Sequence, residues 1–268
     1  MKCVKFDLSH VEFSKNDIRL GIKVPEIITP ELAYFLGFHI GDGYMKIERR
    51  KNKIDYRVDY NGHEVNERKF YEEFLKSLIK QLFNKEVNVR KGNKTVMISF
   101  RSKAIVLFLN KCCEIPFSPK IKIKVPDIIK NSNKITKQSF LRGLADTDFS
   151  LVFKNQGRKP VINFWTYSKT LHESVKELLK ELGFYFYSTT LERERKKTKI
   201  IAYIVEINGK KKLNQWMKDI GFSNYNTLTR YEIWKETGSL PVGTDVNERI
   251  KILKDRGIEF PLSASGRN

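Results

Sequence analysis

Two stretches of the chain end a helix-forming run in the same way. The first is Phe35-Leu36-Gly37-Phe38-His39-Ile40-Gly41-Asp42-Gly43, and the second is Leu141-Arg142-Gly143-Leu144-Ala145-Asp146-Thr147-Asp148-Phe149. Each sets a glycine four residues before another small residue, Gly37/Gly41 and Gly143/Thr147, and then supplies an aspartate, Asp42 or Asp148. A glycine inside a helix costs about 1 kcal/mol relative to alanine. Close approach of two backbones offsets that cost, so the two helices are expected to pack along Gly37 and Gly143. A carboxylate at a helix C-terminus faces the negative end of the macrodipole, and two carboxylates side by side repel. A divalent cation removes both penalties. Asp42 and Asp148, with the carbonyls of the preceding Gly41 and Thr147, make a hard oxygen donor set suited to magnesium. Two such sites about 4 Å apart could hydrolyse a phosphodiester, one cation activating water and the other stabilising the leaving oxygen. The bland alternative is a pair of solvated helix ends neutralised by lysines.

The second feature is basic. Four hairpin tips are expected, and each is rich in cations. They carry Arg49, Arg50, Lys51 and Lys53; then Arg90, Lys91 and Lys94; then Lys154, Arg158 and Lys159; then Arg193, Arg195, Lys196, Lys197 and Lys199. One such tip is an ordinary solvated turn. Four at equivalent places suit sheet ends that grip phosphate backbones, since a two-stranded ribbon fits the B-DNA major groove. Exposed strand residues such as Arg57, Asp59, Asn163 and Thr166 would then meet the bases. The chain of 268 residues holds 51 Lys plus Arg against 31 Asp plus Glu, a net charge of +20. That imbalance calls for a polyanion, and nucleic acid fits because each neutralised phosphate releases a counterion. A hydrophobic content of 40% supplies a core and excludes a disordered tail protein. No apolar run approaches the roughly 18–20 residues of a membrane span, and no helix reads as a membrane-surface amphipath.

The elements around the two aspartates repeat. Pro30 opens the first helix at a position that needs no N–H donor. Strands are expected at 44–48 and 54–60, the second with alternating polar and apolar residues. A helix capped by Asn66 follows, then strands at 86–90 and 94–100 and a helix at 102–113. A linker rich in Pro and Lys (Pro116, Pro119, Lys120, Lys122, Lys124, Pro126) leads to the second round. Its elements are a helix at 138–146, strands at 151–154 and 161–167, a helix at 171–182, strands at 185–191 and 200–207, and a helix at 211–220. The fold class is α+β, with duplicated αββαββα halves related by a pseudo-twofold axis. The organisation reads as an N-terminal extension (1–29), a first half (30–125), a second half (126–235) and a C-terminal tail (236–268) with a short helix at 246–256.

The two motifs, within this order of elements, resemble the LAGLIDADG homing endonuclease signature in its single-chain, two-motif form. The resemblance covers about residues 30–235, and the stretches Gly221-Phe222-Ser223-Asn224 and Leu228–Lys235 look like the ending of archaeal members. It implies antiparallel sheets forming a DNA-binding saddle, magnesium as cofactor, and cleavage of both strands of a long double-stranded DNA site. It implies that Asp42 and Asp148 are metal ligands, with the carbonyls of Gly41 and Thr147 contributing. It implies a basic residue near the metals after the last strand of each half: Arg101 or Lys103 in the first, Lys210 or Lys211 in the second. Monomeric action follows, since both motifs sit on one chain. No protein partner is implied.

Two positions depart from the signature. Ile40 replaces an acidic residue, and Phe149 replaces the closing glycine of the second motif. A glycine with positive φ there would leave Phe149 strained and the second site distorted. That keeps open a protein on the same scaffold that binds without cutting, either a maturase acting on intron RNA or a DNA-binding regulator. Asp146 is expected to cap or pair near the helix interface rather than to bind metal. His10, His39, His63 and His172 share no ligand spacing, and Trp165, Trp216 and Trp234 read as core. Cys3, Cys112 and Cys113 form no disulfide framework, in keeping with a reducing cytoplasm. Met1 at the start and no His-Asn pair at the end favour a free-standing or intron-encoded protein over a self-splicing insert.

Overall fold

The computed structural model describes residues 5–51, 53–120, 122–195 and 198–258. Its centre is a pair of helices, Pro30–Asp42 and Lys134–Asp148. Each begins on a side-chain cap: Thr29 accepts from the Leu32 amide and Asn133 from the Thr136 amide. Both helices are sunk in the core, and their small residues account for that. A Cβ on Gly37 would lie 2.1 Å from the Phe140 carbonyl oxygen, and one on Gly143 would lie 1.9 Å from the Tyr34 carbonyl oxygen. At the same crossing a Cβ on Gly41 would lie 1.9 Å from the Thr147 hydroxyl. No larger residue fits at these three places without parting the helices.

Each central helix feeds a four-stranded antiparallel sheet. The first holds β1 (Tyr44–Arg50), β2 (Lys53–His63), β3 (Val89–Lys91) and β4 (Thr95–Arg101), in the order β1-β2-β4-β3. The second holds β5 (Phe149–Phe153), β6 (Lys159–Thr166), β7 (Tyr187–Arg195) and β8 (Thr198–Asn208), in the order β5-β6-β8-β7. The register repeats as well. Tyr44, Asp59 and Ser99 stand in one row of the first sheet, and Ser150, Asn163 and Glu206 in the matching row of the second. One face of each sheet is packed on helices, through Met45, Val58, Tyr60, Ile98 and Phe100 in one half and Phe164, Val205 and Ile207 in the other. The opposite faces are the concave, solvent-side surfaces.

The helices that cover the sheets depart from simple expectation in detail. His63, not Asn66, caps the helix after β2, accepting from the Val65 and Asn66 amides; the Asn66 side chain accepts from the Val246 amide instead. That helix runs from Glu64 to Phe83 through one π turn, Tyr71–Leu75. The helix Lys103–Leu107 likewise passes into a π turn at Phe108–Cys112. The segment before Pro30 is part of the first half. Phe6 packs edge-on against Phe108 with ring centroids 5.1 Å apart, and the buried Asp17 accepts from the Lys103 and Ala104 amides. The helix Tyr225–Thr237 crosses the expected boundary at residue 235. The tail helix Val246–Asp255 is tied to it by the buried Arg249, whose guanidinium donates to Thr229, Asn226 and the Thr244 carbonyl. No helix among the described residues is long and apolar enough to cross a membrane.

Candidate active site and nucleic-acid interface

Asp42 and Asp148 are the last residues of the two central helices, and the glycine crossing brings them together. A Cβ on Gly41 would lie 3.3 Å from the Asp148 carboxyl carbon. Burial and the nearby charges of Asp148 and Glu67 push the Asp42 carboxyl up to about 7. Burial pushes Asp148 up to about 6. Two carboxyls whose ionisation is disfavoured relative to the free acid form a site that a cation stabilises. Among the described residues no cluster of three or more His, Cys, Asp or Glu side chains could hold a metal, so further ligands to a cation would be backbone, water or substrate oxygens. The donor set is all oxygen and fits a hard divalent ion.

The cation that is present is Lys120. Its ammonium donates to the carbonyls of His39 (3.0 Å), Ile40 (2.6 Å) and Gly41 (2.9 Å), so it caps the C-terminus of the first central helix. It interacts with both aspartates, and burial lowers its own pKa to about 8. The linker is pinned for this by two bonds to β1: the Ser118 amide donates to the Met45 carbonyl, and the Met45 amide to the Ser118 hydroxyl. By sequence Lys120 is one linker lysine among several. The stiffening of the chain by Pro116 and Pro119 is the available hint; its target in space is not legible. The basic residues expected after the last strands are not among the charges that shift Asp42 or Asp148. Lys103 pairs with Glu12 and sits over the Tyr56 ring. Arg101 is held by Asp55, and Lys210 and Lys211 are the exposed first residues of the helix Lys210–Asp219. Glu67 and Tyr71 also interact with Asp42, and no motif in the sequence marks either.

Phe149 is unstrained. Its φ is −96° and that of Gly43 is −69°, both ordinary extended backbone. Gly43 is needed for another reason, because a Cβ there would lie 2.5 Å from His39 Nδ1. In the second half Ala145 stands where His39 stands in the first. That leaves room for the Phe149 ring, which stacks on Phe164 at 4.7 Å and lies tilted against Trp216 at 5.4 Å. The expected strain at the second motif is therefore absent. Asp146 does pair at the interface. It accepts from the Tyr34 hydroxyl of the other central helix at 2.5 Å and from the Ser223 and Asn224 amides. His39 is buried with Nδ1 2.7 Å from the Tyr60 hydroxyl, and burial lowers its pKa to about 3, so the ring is neutral.

The basic residues divide by face. Arg49, Lys51, Lys53, Arg158 and Lys159 are exposed near hairpin tips, with Arg50 and Arg195 ending β1 and β7. Arg57, Arg90 and Arg193 lie on the concave faces by register; Arg57 pairs with Asp59, and Arg193 lies over the Trp165 ring at 4.7 Å. Lys94 is in the β3–β4 turn, and Lys154 reaches Glu206 at 3.3 Å. Lys91 and Lys199 fall on the opposite side, paired with Glu64 and Glu192. Lys196 and Lys197 lie outside the described residues, as does Cys3. Thr166 shares the helix-packed side of β6 with Phe164, so it is not beside Asn163 on the concave face. Trp165 is 37% exposed and is surface, not core.

Residues 136–221 match the family model described as a LAGLIDADG-like domain. Over 228 residues the chain is 30% identical to the replication factor C small subunit of Methanocaldococcus jannaschii, covering 84% of this chain and 11% of that protein. It is 29% identical over 171 residues to the DNA polymerase of the same organism, covering 62% of this chain and 9% of that protein. The chain thus spans about a tenth of the length of these two relatives. Among solved structures it is similar to I-DmoI in complex with DNA and Mn, at a TM-score of 0.55 and 19% identity over 72% of this chain and 96% of that one. A structure of mesophilic variants of the homing endonuclease I-DmoI gives a TM-score of 0.54 at 21% identity, covering 72% of this chain and 95% of that one. The chain shares the fold of I-DmoI, and residues 136–221 within its second half match a LAGLIDADG-like domain.

Proposed function

We propose that the protein is a site-specific double-strand DNA endonuclease that hydrolyses phosphodiester bonds with a divalent cation, magnesium being the natural one. One observation carries the reading: two half-buried aspartates, from equivalent helix ends, meet at the crossing beside the half-buried Lys120, which interacts with both. Asp42 and Asp148 hold the cation, with the Thr147 carbonyl beside them, while the Gly41 carbonyl accepts from Lys120. A bound cation supplies charge for the leaving oxygen and lowers the pKa of an attacking water. Lys120 restrains the helix end and keeps a positive charge next to the scissile group. The exposed basic tips meet the phosphate backbone on either side. The homing endonuclease I-DmoI, solved in complex with DNA and Mn, supports this reading by fold. The two curated relatives bear the names of other activities, so what they share with this chain is a segment and not those activities. One chain supplies both motifs, so the working unit is a monomer. A non-cutting binder on the same scaffold loses its main ground, since Phe149 distorts nothing.

The test is incubation of purified protein with a plasmid library of candidate sites, with magnesium and with EDTA. The reading predicts double-strand breaks at one sequence with magnesium only. Intact plasmid from a library shown to contain a bound site would refute it.

A further inference from the structure

The concave face of the first sheet carries a feature the second lacks. Arg57 on β2 and Arg101 on β4 are direct cross-strand partners, and like charges placed so repel. Each guanidinium is held from behind by an aspartate of β2. Arg57 Nε lies 2.7 Å from an Asp59 carboxylate oxygen, and Arg101 Nε lies 2.7 Å and 2.9 Å from the two of Asp55. The aspartates are 7% and 5% exposed, for Asp55 and Asp59, whereas the arginine side chains are 37% and 56% exposed, for Arg57 and Arg101. The acids therefore hold the Nε side, while both arginine side chains stay partly exposed.

This is the wrong arrangement for a phosphate clamp, because a carboxylate behind each arginine cancels much of its charge. It is the right one for reading a base. A guanidinium fixed in plane and direction presents two parallel donors, and guanine O6 and N7 in the major groove are the acceptors that match. In the second sheet the same register positions hold Val161 and Asn208, neither of them cationic. The pseudo-twofold symmetry of the backbone is thus broken at the reading surface.

We propose that Arg57 and Arg101 are specificity-determining residues that read guanines at two neighbouring base pairs, in one half of the target only, with Asp59 and Asp55 as their positioning residues. The proposal rests on the DNA-binding reading above. The target half facing the first sheet carries G·C pairs there, and the matching pairs of the other half do not.

The test is selection of bound duplexes from a randomised pool in EDTA, with the wild-type protein and the variants Arg57→Gln, Arg101→Gln, Asp55→Asn and Lys51→Gln. The expected wild-type consensus has two adjacent G·C pairs in one half-site. Each arginine variant should lower affinity for that consensus by about 5- to 150-fold and relax the preference at one pair only. Asp55→Asn should weaken the Arg101 preference while retaining the arginine, which loss of charge alone would not do. Lys51→Gln should weaken binding evenly across sequences. A consensus without the guanine pair, one with it in both halves, or one unmoved by the arginine variants would overturn the proposal and leave the endonuclease reading standing. Enrichment of no sequence at all would overturn both.

Discussion

At the residue scale, the proposed chemistry rests on the two carboxylates and Lys120. Asp42 and Asp148 bind protons more tightly in the folded protein than in the unfolded chain. Their contribution to metal-free stability is thus fully present below the ordinary carboxylate range and is lost as pH rises through about 6 to 7. Urea unfolding without divalent ions should therefore give a higher stability at about pH 5 than at about pH 8, by on the order of 2–4 kcal/mol. Asp42→Asn should flatten that dependence; an unchanged slope would show that the acids are not desolvated. Removing the Lys120 ammonium leaves three carbonyls and two acids without their cation. Lys120→Met is expected to slow cleavage by roughly 10- to 100-fold and to shift the pH–rate profile, with DNA affinity little changed. A loss of affinity with an intact rate on bound DNA would make Lys120 a DNA anchor only. The aspartates are legible in the sequence because two acids at matching helix ends are conspicuous. Lys120 is not, because the Met45–Ser118 pairing that delivers it is a tertiary contact between residues far apart in the chain.

At the element scale, the αββαββα order and the helix crossing are legible, since Gly37, Gly41, Gly143 and Thr147 leave little choice of packing. Side-chain direction is harder to read. Composition places Lys91, Lys199 and Thr166 on the DNA side, but strand parity turns each to the other face. Residue type places Trp165 in the core, yet its partner on the concave face is Arg193. The closing position of each motif shows how one element's side chain sets its neighbour's: His39 demands Gly43, and Ala145 permits Phe149. Gly143→Ala puts a methyl 1.9 Å from the Tyr34 carbonyl oxygen and must part the helices. It is expected to destabilise by at least about 1–3 kcal/mol and to abolish cleavage, read by thermal melting and plasmid assay. Phe149→Ala removes a ring packed against Phe164 and Trp216 and should cost about 3–5 kcal/mol. Wild-type stability in either variant would contradict the packing described.

At the scale of the whole molecule, a backbone of near-twofold symmetry carries two unlike sheet faces, one dense in paired charges and one built around Trp165, Leu191 and Arg193. An asymmetric DNA site suits such a protein better than a palindrome. The segment before Pro30 braces the first half through Asp17, and the tail helix ties the helix Tyr225–Thr237 to the first half through Arg249 and the Val246–Asn66 bond. The central claim is that the two helix-end aspartates form one metal-dependent cutting centre. Its most direct test is cleavage of a single selected duplex with each strand labelled, by wild type, Asp42→Asn and Asp148→Asn, with magnesium and with EDTA. Wild type is expected to cut both strands with magnesium only, and each variant to lose at least about 1,000-fold in double-strand cleavage while still binding the duplex. Cleavage of both strands at the wild-type rate by either variant, or in EDTA, would contradict it.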